Sequence, residues 1–316
     1  MPESTARSGS EPILTVSVIV PVRNEAQQIG ACLRSLMQQD FPTNRMEILI
    51  VDNASTDGTA QICRNLGFPP LYESRPGAGL ARNRGLAAAR NELVAFTDAD
   101  CELPGDWLNR IVMALEDTDA VMGWVDPAPD DSGYALARAA LHRDYLSECR
   151  KLAVTGRLDR LDTANCGGWR RVFEDAGGFH PEIFPAEDRE LGARIAEHGG
   201  KIRFDEEIRA RHHYEPRLFR SMARARNVGH MWARILELFP HEYVSRHFPD
   251  VLSAAERARS PHAASAYRRR VVLKYWASLV ACMTRPGFEA CLHHYRQATI
   301  FAIRLGILDK MVGESW

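Results

Sequence analysis

The chain has 316 residues, of which 45% are hydrophobic and 26% charged, and its formal net charge is −1. This composition is that of an ordinary globular protein, long enough for one large domain or for a domain with an appendage. No segment has the run of about 18 apolar residues that a membrane-spanning helix needs. The seven cysteines include no CxxC pair, which disfavours a disulfide framework or a zinc site.

The small net charge conceals an uneven distribution. Residues 1–200 carry 20 basic and 30 acidic side chains, a net of −10, whereas residues 201–316 carry 20 and 11, a net of +9. The basic end favours anionic lipid, phosphate or the acidic part of the same protein as its partner, and we expect no nucleic acid. Unpaired cysteines and the absence of a visible signal peptide favour a cytoplasmic protein, with the inner face of the membrane as an option.

Strands and helices are predicted to alternate along the first hundred residues. Residues 1–12 are polar, and we expect a disordered tail. Apolar runs predict strands, and amphipathic stretches predict helices, in the order Val16–Val20, Ala26–Gln39, Glu47–Asp52, Thr56–Asn65, Leu80–Ala89 and Leu93–Thr97. This order is typical of an α/β fold with a mostly parallel sheet flanked by helices, in which ligands bind at the carboxyl ends of the strands.

The second half of the chain is expected to be more helical. Residues 104–200 mix helices with glycine-rich turns, and basic helices are predicted at Arg217–Leu238, Ala264–Met283 and Gly287–Leu305. We therefore expect one domain at 13–210 and a helical extension at 211–316.

The extension contains a basic, aromatic stretch around Arg268 to Arg270, Tyr275 and Trp276. Amphipathic helices of this kind lie in membrane interfaces, so peripheral membrane contact is one interpretation. The alternative is that these helices pack on the acidic part of the chain or form a homodimer contact.

Two carboxylates, Asp98 and Asp100, follow the predicted strand Leu93–Thr97 with one residue between them. Both can face a ligand at the edge of the sheet, where Pro21–Glu25 and Asp52 follow two other strands. Mg²⁺ and Mn²⁺ take oxygen ligands and often complete their coordination with substrate phosphates. The pair therefore indicates a site where metal and diphosphate meet, although a solvated turn is the alternative.

Several loose motifs occur at regular intervals, namely Ser17–Glu25, Ile50–Thr59, Gly77–Gly85, the Asp98/Asp100 pair, Gly177–Phe179 and Glu187–Leu191. Their order and spacing resemble the inverting glycosyltransferases of family two, which have the GT-A fold. The resemblance covers roughly residues 14–215. It implies transfer of a sugar from a nucleotide-sugar donor to a carbohydrate or lipid-linked acceptor, with Mn²⁺ or Mg²⁺ as cofactor.

The resemblance also implies roles for the donor side. Asp100 matches the residue that binds the metal directly, and Asp98 the one that holds ribose or sugar hydroxyls. Asp52 matches the residue that accepts a hydrogen bond from the base, which suits the N–H of uracil and favours a UDP-sugar, although a helix cap is the alternative. The other donor-binding candidates are Pro21, Arg23, Glu25 and Arg82. Arg23 departs from the family, in which an aromatic residue often stacks on the base.

Glu187 and Asp188 are the candidates for acid–base chemistry. Inversion needs a base that deprotonates the acceptor hydroxyl, and a positioned carboxylate is sufficient. Family matching makes Asp188 that base, with Glu187 steering the acceptor. The alternative is an acidic first turn of a helix, where the helix dipole favours carboxylates.

Three further residues enter through the resemblance. A histidine completes the metal coordination in many relatives, and His212 matches that position better than its neighbour His213. Asn165 and Trp169 match the loop on the acceptor side, although Trp169 can equally be a core residue.

The sequence therefore predicts a metal-dependent, inverting glycosyltransferase. Two alternatives stay open, namely a non-catalytic protein that binds nucleotide sugars or carbohydrates, and a sugar-phosphate nucleotidyltransferase. The latter should have a glycine-rich loop directly after the first strand, where this chain has Pro21–Glu25.

Overall fold

The computed structural model describes residues 14–129, 134–249, 252 and a set of helical positions further on, namely 271–274, 277–278, 281, 292–293, 295–300, 302–304 and 307. The predicted tail at 1–12 and the basic stretch Arg268–Arg270 lie outside the described residues. The elements are β1 (Val16–Val22), α1 (Ile29–Met37), a 3₁₀ turn (Thr43–Arg45), β2 (Met46–Asp52), α2 (Thr59–Asn65), β3 (Leu71–Tyr72), α3 (Ala78–Ala88), β4 (Leu93–Thr97), β5 (Cys101–Glu102), α4 (Trp107–Ala114), β6 (Ala120–Pro127), α5 (Tyr134–Val154), β7 (Asn165–Trp169), α6 (Arg170–Asp175), α7 (Glu187–Glu197), β8 (Ile202–His212), α8 (Leu218–Leu238) and α9 (His241–His247).

The strands form one eight-stranded sheet in the order β3-β2-β1-β4-β7-β6-β8-β5. The half made of β3, β2, β1 and β4 is parallel, as the sequence predicts. The other half is mixed, because β7 runs antiparallel to β4 and β6, and β5 antiparallel to β8. Val22 pairs with Asp52, and Ile19 with Phe96, so the carboxyl ends of β1, β2 and β4 meet at one edge.

Helices cover both faces of the sheet. On one face, α1 and α4 share a buried apolar cluster with residues of β1 and β4, and α1 contributes Ile29, Leu33 and Leu36, which recur at helical spacing. On the other face, Phe96 of β4 contacts the rings of Phe173 and Phe179 edge-on. Burying a large apolar side chain stabilises a fold by about 1.5–3 kcal/mol, so this core holds the strand ends firmly in place.

The strand β7 corrects one expectation, because the sequence places Asn165 and Trp169 in a loop. The glycines that favour a loop here serve close packing instead. A Cβ on Gly167 would lie 2.6 Å from the Ile111 side chain, and one on Gly168 would lie 2.8 Å from the Asp119 carbonyl. Contacts this short are forbidden, so only glycine lets the strand lie against α4 and its neighbours.

The C-terminal half also differs in detail from the prediction. The strand β8 continues to His212, so the expected boundary at residue 210 falls inside a strand. The helix α8 packs against α5 and against helical residues near the C-terminus, including Tyr295 and Ala298. Within the described ranges, no helix has the length and apolar character to cross a membrane.

Candidate functional site

Asp98 and Asp100 lie between β4 and β5, at the edge where the parallel strands end. β5 pairs with the end of β8, and this pairing brings the His212 imidazole to Asp100, with Nε2 3.4 Å from Oδ1. The neighbouring His213 turns elsewhere, since its Nε2 lies 2.6 Å from Oε1 of Glu102. The His212 imidazole thus lies beside Asp100, whereas the His213 imidazole contacts Glu102.

The residues present fit a divalent metal. Donor atoms of Asp100, Cys101 and His212 all lie within 4.8 Å of one another. Burial raises the pKa of the Cys101 thiol well above its usual range, so the sulfur stays protonated and is a poor ligand for a hard cation. Asp100 and His212 remain, and together they could hold Mn²⁺ or Mg²⁺ while leaving coordination positions for phosphate oxygens.

The His212 ring is prepared for such a role by its surroundings. Burial lowers the pKa of His212, against the opposing effect of Asp100 and Asp98, so the imidazole is neutral and keeps a lone pair. Tyr214 stacks on the ring at a centroid distance of 4.3 Å. The ring is therefore held in one orientation beside Asp100.

Arg82 of α3 links the two acidic motifs. Its Nη2 donates to Asp98 Oδ1 at 2.7 Å and its Nη1 donates to Glu187 Oε1 at 2.6 Å, while its guanidinium lies 5.6 Å from the centre of the Phe179 ring. Burial opposes the charge, but Asp98 and Glu187 outweigh it and raise the pKa of Arg82 above its ordinary value. Arg82 is 3% exposed and Glu187 5%, so the two side chains are shielded from water and are paired with each other.

Asp188 is the second residue of α7, which starts after Ala186 in the left-handed conformation (φ 85°). Its Oδ1 accepts from the Arg189 N–H at 2.8 Å, and its Oδ2 lies 3.4 Å from the hydroxyl oxygen of Thr163. Burial, together with the charges of Glu187 and Asp162, raises the pKa of Asp188 to about 7. A carboxyl group that exchanges its proton near neutral pH has the property required of a general base.

Asp52 and Asn53 end β2 and organise the neighbouring loop. Asp52 Oδ1 accepts from the Ser55 N–H at 3.1 Å and closes a turn in the loop, so it does not cap a helix, because α2 begins only at Thr59; the Asp52 side chain is 6% exposed. Asn53, to which the sequence assigns no separate role, accepts from the Gly77 N–H at 2.8 Å and donates to the Arg75 carbonyl at 2.7 Å. The Asp-Asn pair thus ties the end of β2 to the start of α3, and the adjacent polar turn was the available signal.

The end of β1 and the loop after it contain the other donor-side candidates. Pro21 is a buried residue of β1 opposite Val51, and Arg23 is exposed. The Glu25 N–H donates to Thr59 Oγ1 at 2.9 Å, and burial and the charges of Asp100 and Asp98 raise the pKa of Glu25 to about 7. The Glu25 carboxyl is therefore close to Asp98 and Asp100, whereas Pro21 is part of the β1 backbone.

Two expected acceptor-side residues are corrected by the structure. Asn165 is fully buried, accepts from the Trp107 indole at 2.7 Å and donates to the Trp124 and Ile208 carbonyls. Its amide therefore braces the core and faces no ligand. Trp169 pairs with Leu93 at the amino end of β4, five residues before Asp98, and packs against the core.

A buried polar network was not found from the sequence. His142 of α5 bonds through Nδ1 to the Tyr214 hydroxyl at 2.6 Å and through Nε2 to the Asp162 carboxylate. Burial would raise the pKa of Asp162, but the His142 charge and hydrogen bond outweigh it and lower the pKa. These side chains line an inner cavity of about 320 Å³ together with Asp98 and His212.

Two further spaces, which we call the outer cleft and the side cleft, share lining residues with the inner cavity. The outer cleft, about 920 Å³, is lined by the metal-ligand candidates Asp100 and His212 and by Glu25. The side cleft, about 620 Å³, is lined by Asp188 and Trp232 among others. The described helices α5 and α8 contribute to all three spaces, so they form a wall that runs from the acidic pair to Asp188.

Comparison with known proteins supports an assignment. Residues 17–176 match the model of Glycosyl transferase family 2. The chain is 30% identical over 211 residues to the glycosyltransferase AglE of Haloferax volcanii, a match that covers 64% of this chain and 67% of AglE.

Two solved structures have a similar fold. The mannosyltransferase PcManGT from Pyrobaculum calidifontis, in complex with GDP-Man and Mn²⁺, superposes with a TM-score of 0.63 at 22% identity, covering 95% of this chain and 88% of that one. TarS residues 1–349 from S. aureus, in complex with UDP-GlcNAc, gives a TM-score of 0.53 at 18% identity, covering 96% and 93%. At these identities the likeness establishes the fold, which is the GT-A arrangement that the sequence predicts.

Proposed function

The chain belongs to glycosyl transferase family 2 and is a glycosyltransferase, and we propose that it works with inversion, with a divalent metal and with Asp188 as the base. The observation that carries this proposal is the Arg82 bridge. One buried guanidinium joins Asp98, next to the metal-ligand candidates, to Glu187, next to Asp188. The bridge fixes both acidic motifs relative to each other, as a reaction between two bound substrates requires.

On the donor side, Asp100 and His212 would hold Mn²⁺ or Mg²⁺. The metal, when bound, neutralises negative charge on the diphosphate of the donor. PcManGT is described with Mn²⁺, which supports this cofactor. Asp98, anchored by Arg82, is positioned to accept hydrogen bonds from sugar or ribose hydroxyls.

A UDP-sugar is the proposed donor. The Asp52 carboxylate uses one oxygen on the Ser55 N–H, and its second oxygen makes no hydrogen bond to any described residue. That oxygen can accept from the imide N–H of uracil, because a carboxylate accepts and does not donate. TarS is described with UDP-GlcNAc, which supports a uridine nucleotide. PcManGT is described with GDP-Man, so the titration below compares donors with different nucleobases.

On the acceptor side, Asp188 would take the proton of the attacking hydroxyl. Asp188 opens into the side cleft, while Asp100 opens into the outer cleft, with the inner cavity adjoining both. This arrangement supports attack from the face of the sugar opposite to the diphosphate, which inverts the anomeric centre. Glu187 is bound to Arg82, so we assign it the positioning of α7 in place of direct acceptor contact.

The test is calorimetric titration of UDP-, dTDP-, GDP- and ADP-sugars with Mn²⁺ and again with EDTA. We expect one donor to bind in a metal-dependent manner and Asp100→Asn to weaken it, whereas the matched variant Glu102→Gln, whose carboxylate serves His213, should bind normally. The absence of binding by every donor would refute the proposal.

The alternatives predict different outcomes. A non-catalytic binding protein would bind the donor without hydrolysis or transfer, and Asp188→Asn would change nothing measurable. A sugar-phosphate nucleotidyltransferase would release pyrophosphate from a nucleoside triphosphate and a sugar phosphate, which a coupled phosphate assay detects.

A further inference from the structure

Two arginines of the helical wall face the metal-ligand candidates. Arg138 of α5 and Arg224 of α8 each line both the outer cleft and the inner cavity. Arg138 shares one helical face with His142 and Tyr145, which also line the inner cavity, and Arg224 shares one with Val228. The helices α5 and α8 thus place both guanidinium groups along the same outer cleft and inner cavity.

Arg138 is an unusual cation in this environment. It is partly buried, and its guanidinium lies 5.9 Å from the centre of the Tyr214 ring. Burial and the charge of Arg224 lower the pKa of Arg138 to about 10, so it remains charged at neutral pH. Neither arginine makes an ion pair or a side-chain hydrogen bond to any described residue.

The other arginines of the outer cleft behave differently. Arg217 donates to Glu215 Oε1 at 2.5 Å, and Arg220 lies 3.6 Å from the same carboxylate. Their charge is therefore compensated inside the protein. The charge of Asp100 favours the Arg138 cation, but neither Arg138 nor Arg224 has a carboxylate partner of this kind among the described residues. Their like charges repel each other, and an anion bound between them would relieve that repulsion.

We propose that Arg138 and Arg224 form a phosphate subsite that binds the diphosphate of the donor. Guanidinium groups present two parallel N–H donors that match phosphate oxygens. Both arginines line the spaces that contain Asp100 and His212, and neither lines the side cleft that contains Asp188. This placement favours the donor diphosphate over a phosphate carried by the acceptor.

The subsite has a defined part in the transfer step, and in this respect it rests on the proposed function. The bond between the anomeric carbon and the diphosphate oxygen breaks, and its electron pair stays on that oxygen. The acceptor oxygen forms the new bond to the anomeric carbon, and its proton goes to Asp188. Two guanidinium groups beside the leaving oxygen stabilise the charge that develops there.

The test measures binding of inorganic pyrophosphate by calorimetry, in EDTA and again with Mn²⁺. In EDTA, Arg138→Gln and Arg224→Gln should each weaken pyrophosphate binding by about tenfold or more, since each removes a charged hydrogen-bond donor. The matched control is Arg234→Gln on the same helix, whose guanidinium pairs with Glu182 and Glu237 and lines none of the three spaces. Its affinity should stay within about twofold of the wild type.

Each outcome decides the proposal. Arg224 is exposed, so Arg224→Gln should leave the fold intact, and unchanged pyrophosphate affinity in this variant overturns the proposal. Arg138→Lys tests the partly buried position with its charge kept. Hexyl phosphate is a probe for a phosphate carried by an acceptor. If Arg138→Gln and Arg224→Gln weakened the binding of hexyl phosphate and left pyrophosphate affinity unchanged, the proposal would also be overturned, because the site would then serve an acceptor phosphate. Pyrophosphate carries neither sugar nor base, so arginine-dependent binding without any nucleotide-sugar turnover would refute the proposed function and leave the subsite standing.

Discussion

Replacing Arg82 by Met is the most direct test of how the site is held together. The Arg82 side chain is 4% exposed and that of Glu187 is 7%, so the substitution leaves Glu187 buried beside a neutral side chain. Removing one partner of a buried ion pair costs about 3–5 kcal/mol of folding free energy. Asp98, whose side chain is 28% exposed, regains water and adds little to that loss.

The loss is measured by urea unfolding followed by tryptophan fluorescence. In thermal unfolding we expect the melting temperature to fall by roughly 4–8 °C, because the entropy of unfolding grows with chain length and this chain has 316 residues. The matched control is Arg90→Met, which removes the bond of an 82% exposed arginine to Glu47 and should cost about 1 kcal/mol or less.

A second substitution distinguishes the effect of the lost ion pair on stability from the effect of altered packing. In Arg82→Met/Glu187→Gln the buried charge is absent, so part of the stability should return, and the double-mutant cycle measures the coupling. If Arg82→Met were as stable as Arg90→Met, the bridge would contribute little and the reasoning from burial would be refuted.

Three other predictions concern the base, the metal and the core. Because Asp188 acts only when deprotonated and its pKa is raised to about 7, kcat/KM should fall about tenfold per pH unit below that value and level off above it. Asp188→Asn should lose this limb and about 10²–10⁴-fold in rate, and an unchanged profile would exclude Asp188 as the base. His212→Gln should weaken Mn²⁺ binding, followed by electron paramagnetic resonance, by more than about tenfold, and His213→Gln by less than about twofold. Asn165→Ala should cost about 2–4 kcal/mol in urea unfolding, because it strips buried partners from Trp107 and two carbonyls, and it should leave donor affinity unchanged in the folded protein.

The sheet edge was predictable because its signals are local. Each of β1, β2 and β4 is a short apolar run followed at once by polar residues, and parallel strands bring those residues together by construction. The strand β4 was predicted with its observed bounds, and Asp98 and Asp100 followed from it. The helix α1 starts later than predicted, at Ile29, because the Glu25 carbonyl first closes a turn with Gln28 and Ile29.

The strand β7 was not predictable by the same reasoning. Gly167 and Gly168 carry the usual signal of a turn, and a single sequence does not show that Ile111 and Asp119 lie where a Cβ would go. A loop position for Asn165 would leave its amide available to a ligand. The polarity of Asn165 instead satisfies Trp107 inside the core, which is a long-range contact with no local signature.

The helical wall shows the same limit in a functional part of the molecule. Arg138 and Arg224 stand 86 positions apart in ordinary basic helices, where an arginine is most often solvated. What distinguishes them is that both line the same two spaces beside Asp100 and His212, and that property exists only after α5 and α8 are packed together. The parallel strand ends supply acidic groups, and the later helices supply cations that face them. A site for a metal and a diphosphate needs both acidic groups and cations. The acidic first part and the basic second part of the chain reflect this requirement in the sequence.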